Sequence, residues 1–83
     1  MTQGASRLRR QVRSPRGMGA FVAERREYLG LTQQELADRA LVSRSWVARF
    51  ERDGSSAVLY RVMDVLSVLG VSIYAEIEEA RDD

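Results

Sequence analysis

Arg44, Ser45 and Arg49 lie on the outer side of a short segment whose inward positions are Trp46, Val47 and Phe50. Spacings of one, three and four residues gather those apolar side chains on one face of a helix. The two arginines and the serine then point outward or flank that face, with Ala48 beside them. Arginine offers a planar fork of donors that suits guanine and phosphate oxygens, and serine serves several bases. All 13 basic residues of the chain are arginine, which a GC-rich genome explains as well as nucleic-acid contact does.

No comparable material for catalysis is present. Cys and His are both absent. Disulfides, Cys/His zinc sites and catalysis by either side chain are therefore excluded. Carboxylates such as Glu24 and Glu27 have no metal-ligand or acid–base constellation around them. The expectation is a binding protein, not an enzyme, with no cofactor and no metal. No apolar run approaches a membrane span, and the first residues lack the apolar stretch of a signal peptide. A cytoplasmic location and no membrane partner are expected.

The chain has 83 residues, one domain near the lower limit for independent stability. With disulfides and metals excluded, oligomerisation is the remaining stabilising device. The net charge of +1 hides a strong segregation. Residues 1–16 carry Arg7, Arg9, Arg10, Arg13 and Arg16 and no acid, whereas residues 74–83 carry Glu76, Glu78, Glu79, Asp82 and Asp83 against Arg81. Residues 1–13 read as a disordered Arg-rich arm. Such an arm either follows DNA or remains a tail with diffuse attraction. Residues 78–83 read as an acidic tail, suited to solubility or to a basic protein partner.

Between these ends, residues 14–70 supply the elements that position the arginines. Ser14-Pro15 is a helix entry, and Met18, Phe21, Val22, Arg25, Tyr28 and Leu29 form one face up to Gly30. Gly17 and Gly19 weaken the first turn, so the entry lies at Pro15 or nearer Ala20. Thr32 and Glu35 form a capping box for a second helix with Leu36, Ala37 and Ala40 inside. Ser43 caps the third helix, which ends at Asp53-Gly54. Two helix starts eleven residues apart with a tight turn between them outline a helix-turn-helix. Ser55 or Ser56 is the expected cap of a fourth helix, with Leu59, Val62, Met63, Leu66 and Leu69 buried. Val58, Val65 and Val68 widen that apolar face beyond what one partner needs.

After Gly70 the period changes. Val71, Ile73, Ala75 and Ile77 alternate with Ser72, Tyr74 and Glu76, which predicts a half-buried strand over 71–77. A lone strand leaves backbone donors and acceptors unpaired, at a cost. Antiparallel pairing with the same strand of a second copy removes that cost and makes Val71, Ile73, Ala75 and Ile77 dimerisation residues. The alternative is a tail without a strand.

The segments GLTQQELA at Gly30–Ala37 and VSRSWVARFE at Val42–Glu51, with the closing Gly54, resemble the Xre/Cro family of helix-turn-helix domains. The resemblance implies an all-α, lambda-repressor-like bundle of four or five helices. The helix ending in LGVSIYAEI is similar to HipB-type antitoxins, as is the Arg52-Asp53-Gly54 ending. That narrower resemblance implies a strand paired between subunits, operator DNA as ligand and a HipA-like kinase toxin as partner. One position departs from the family. A glycine usually occupies the turn where this chain has Leu41. Leucine at positive φ costs about 1 kcal/mol, so shifted turn dihedrals and a slightly altered recognition-helix angle are expected.

By the family pattern, Arg44, Ser45 and Arg49 read bases, and Ala48 meets a thymine methyl. Gln33 matches a residue that bonds phosphate at a helix start. Ser43 is a cap that also approaches phosphate, and Trp46 is divided between core and phosphate contact. Arg26 and Glu51 match an ion pair bridging the first and third helices. The resulting expectation is a homodimeric repressor on an inverted repeat of double-stranded operator DNA, serving as the antitoxin of a HipA-like kinase. A free-standing regulator without a toxin, or an adaptor that has lost DNA binding, are the alternatives.

Overall fold

The computed structural model describes residues 8–80. Four helices follow in order: α1 (Pro15–Tyr28), α2 (Gln33–Ala40), α3 (Arg44–Arg52) and α4 (Leu59–Val68), with a 3-10 turn at Gly54–Ser56. The fold is all-α. No helix is long and apolar enough to cross a membrane among the described residues.

Local chemistry explains most of the helix ends. The Ser14 hydroxyl accepts from Gly17 N at 2.9 Å, and Pro15 opens α1 where its missing donor costs nothing. Entry is therefore at Pro15, not nearer Ala20. Thr32 and Glu35 satisfy each other's amides at 3.0 and 2.8 Å. At the far ends of α1 and α4, Gly30 and Gly70 adopt φ of 74° and 73°. Their left-handed turns let Leu31 N reach Arg26 O and Val71 N reach Leu66 O, closing each helix.

The core lies where all four helices meet. Val22 comes from α1, Leu36, Ala37 and Ala40 from α2, and Val47 and Phe50 from α3. Val62, Val65 and Leu66 come from α4, with Leu69 just beyond it. α3 packs against α1 and α2, and α2 also packs against α4. Gly19 lets α1 approach α3: a Cβ there would collide with the Phe50 carbonyl and stand 3.2 Å from the Glu51 carbonyl. The glycine that weakens the first turn of α1 is thus what allows the helices to touch.

Three expectations are corrected. Neither Ser55 nor Ser56 caps α4: the Asp53 carboxylate accepts from Ser55 N at 3.1 Å, which winds residues 54–56 into the 3-10 turn. α4 begins later, with Val58 at the cap position and no side-chain cap. Leu59 and Met63 are not core; both are exposed and Val65 is buried instead, because the packed stripe is Val62, Val65, Leu66 and Leu69. Leu41 does not shift the turn. It takes the left-handed conformation itself, φ 60° and ψ 42°, and Val42 N bonds Ala37 O at 3.0 Å across it.

Residues 71–80 carry neither helix nor strand pairing within the single chain. Val71 packs on the core, while Ile73, Tyr74 and Ile77 are exposed. The apolar surface of α4 continues this exposure through Leu59, Tyr60 and Met63.

Candidate nucleic-acid interface

The site is built around the carboxylate of Glu51, at the end of α3. Arg26 Nε donates to Oε2 at 2.7 Å and Arg26 Nη2 to Oε1 at 3.0 Å. The two side chains are 11% and 6% exposed, so solvent screens the pair weakly. Arg26 Nη1 also donates to Leu31 O at 2.8 Å, fixing the chain between α1 and α2. The hydrogen bond from Arg26 to Glu51 is the main cause that raises the guanidinium above its ordinary range.

Gln33 completes the network. Its Nε2 donates to Glu51 Oε1 at 2.9 Å. Sequence reasoning placed Gln33 at the start of α2 but gave its side chain no protein partner. The two residues are 18 positions apart on different helices, beyond the reach of any local spacing rule. One carboxylate thereby ties α1, the start of α2 and the end of α3 together. The angle between the two helices of the motif is held by hydrogen bonds as well as by packing.

α3 presents its other side to solvent. The Ser43 hydroxyl accepts from Trp46 N at 3.0 Å, which caps the helix. Arg44, Ser45 and Arg49 are all exposed, and Ala48 is half-buried between them and the core. Among the described residues neither arginine is paired with a carboxylate. Trp46 stacks on Phe50 with ring centroids 5.0 Å apart and planes 14° from parallel. It is half-buried and packs against the core. Leu41, in the turn before Ser43, is 87% exposed.

A further arginine has a structural role that the sequence did not show. Arg25 Nε donates to Leu69 O at 3.0 Å, and its guanidinium lies 5.3 Å from the Tyr28 ring centroid. A cation thus sits at the carbonyl end of α4, where the helix dipole favours it. Spacing places Arg25 on the same face of α1 as Phe21 and Val22, and its Nε reaches from there to a helix end 44 residues away.

Known proteins share this architecture. Solved structures with the same fold include HipB in a HipA–HipB–O2–O3 complex and in a complex with an O4 20mer, both 21% identical with TM-score 0.77. Each alignment covers 84% of this chain and 99% of the other. A HipB variant in a complex with an O2 20mer aligns at TM-score 0.79 and 21% identity, over 87% of this chain and 100% of that one. A comparison with curated protein sequences returned no match. Residues 18–80 match the family described as the helix-turn-helix domain. With the capping box, the αL turn and the exposed third helix inside that span, the chain belongs to the helix-turn-helix domain family.

Proposed function

We propose that this protein is a homodimeric, sequence-specific DNA-binding repressor, the antitoxin of a HipA-like kinase. The observation that carries the reading is the exposed row Arg44, Ser45 and Arg49 on α3, held at a set angle by Glu51. These three side chains read base edges in the major groove, where an arginine fork recognises guanine O6 and N7. The start of α2, with Gln33, and the cap Ser43 meet phosphates at the groove edge, and the half-buried Trp46 lies beside them.

The dimer follows from the apolar surface left uncovered. Leu59, Tyr60, Met63, Ile73 and Ile77 are exposed on α4 and the segment after it. A groove of about 440 Å³ beside Met63 and Ile73 is lined also by Leu66 and Val71, with Ser67 and Ser72. A second copy covers this surface, pairing Val71, Ile73, Ala75 and Ile77 strand to strand across a two-fold axis. Two α3 helices then enter successive major grooves about 34 Å apart on an inverted repeat. HipB complexes with 20mers and with HipA, on the same fold, support DNA and a HipA-like kinase as the partners.

Gel shift with the DNA upstream of the protein's own gene tests the repressor. The expected result is salt-sensitive binding that prefers this DNA over random sequence; equal binding to both sinks the reading. Truncation before Val71 tests the dimer, with sedimentation as the readout. An unchanged dimer would place the interface on α4 alone. Co-purification with a HipA-like kinase separates the antitoxin from a free-standing regulator.

A further inference from the structure

Residues 8–13 have no regular secondary structure, yet they return along α1. Arg10 Nη1 donates to Glu24 Oε1 at 2.6 Å, and the same guanidinium lies 5.6 Å from the Phe21 ring centroid. Val12 is half-buried, and its Cγ1 lies 3.9 Å from where a Cβ on Gly17 would stand. Between them the arm and α1 wall a groove of about 590 Å³ whose lining includes Arg13 and Glu51. Glu51 carries Gln33 at the start of α2. Arg13 and Glu51 thus line one groove, and Glu51 is hydrogen-bonded to the residue assigned to DNA phosphate.

We propose that Glu24 and Phe21 form a dock for the arm, and that docking sets Arg13 against the DNA backbone beside the start of α2. This rests on the DNA-binding reading above. The charges divide the work. Arg10 is neutralised by Glu24 and serves as the anchor. Arg13 donates to the neutral amide oxygen of Gln11 at 2.9 Å and has no carboxylate partner among the described residues. Docking also cancels Glu24, a carboxylate on α1 that would otherwise repel phosphate. An arm held near its bound position loses less conformational freedom on binding than a free one. Glu24 and Phe21 are positioning residues: they act through the arm, not on DNA.

The test uses the full chain, Glu24→Gln, Glu24→Asp, and a chain lacking residues 1–13. In the free protein, NMR resonances of the Phe21 ring and of the Arg10 side chain report the dock. They should move in Glu24→Gln and stay near wild type in Glu24→Asp. Affinity for specific and random DNA is then measured across a salt series. Glu24→Gln and the truncation should weaken both DNAs several-fold. The slope of log affinity against log salt should fall by about 1, the loss of one phosphate contact. In the truncated chain Glu24→Gln should cause no further weakening. Wild-type affinity and slope in Glu24→Gln would overturn the proposal. So would tighter binding, which would mean that the pair holds the arm away from DNA. If the wild-type chain binds no DNA, the repressor reading falls with the phosphate role. Unmoved NMR resonances in Glu24→Gln would overturn the dock itself.

Discussion

Arg26 and Glu51 face each other fork to carboxylate, with Nε–Oε2 at 2.7 Å and Nη2–Oε1 at 3.0 Å, between α1 and the end of α3. Both side chains are nearly out of solvent, and Gln33 shares one of the same oxygens. Glu51→Ala should therefore cost about 3 kcal/mol, because it strands the guanidinium in a site built for its partner. Arg26→Lys keeps the charge but not the fork, and should cost about 1–2 kcal/mol. Urea unfolding of the two variants measures this. A loss under about 1 kcal/mol for Glu51→Ala would mean that the pair behaves like an exposed surface bridge.

Leu41 combines two unfavourable features, a left-handed backbone and an 87% exposed apolar side chain. Leu41→Gly removes the steric strain and loses no packing. Glycine also raises the entropy of the unfolded chain, which offsets part of the gain. The net stabilisation should be about 0.5–1 kcal/mol, read as a higher denaturation midpoint at unchanged slope. Destabilisation would show that Leu41 makes a contact the chain needs.

Arg49→Ala should weaken specific DNA binding by about 1–3 kcal/mol per half-site and leave the oligomeric state alone. Arg49 is exposed on α3 and contributes nothing to the core. Competition gel shifts against random DNA decide its role. An equal loss on both DNAs would make Arg49 a phosphate contact.

The Asp53 carboxylate accepts from Ser55, which holds it below its ordinary value of 3.8. A carboxylate depressed in the folded state stabilises the fold above its unfolded pKa. That stabilisation is lost as pH falls through the lower, folded value. Thermal melts of wild type and Asp53→Asn should therefore separate above the ordinary value of 3.8 and converge as pH falls below it. Parallel curves through that range would remove Asp53 from the turn's stability. Asp53 is fully exposed, so the separation should be small.

The particular elements show why some of the fold was legible and some was not. Ser14, Thr32 with Glu35, and Ser43 act on amides three residues away, so spacing alone identifies them. Asp53 acts two residues away and winds the serines after it into a 3-10 turn, so neither serine is free to cap α4, which starts with no side-chain cap. Met63 and Val65 pose a different problem on α4. Both fit an apolar stripe, and the direction of approach of α2 determined which was buried.

By itself the sequence determined four helices, the caps of the first three, the left-handed stops at Gly30 and Gly70, and an outward row of Arg44, Ser45 and Arg49. These follow from interactions within a helical turn or two, where backbone geometry leaves few choices. Tertiary structure alone decided that Gln33 joins Glu51, that Arg25 reaches the end of α4 and that Arg10 settles on Glu24. Long side chains with several rotatable bonds can serve many partners. Which partner they meet depends on how the helices pack, and that is set by the whole core at once.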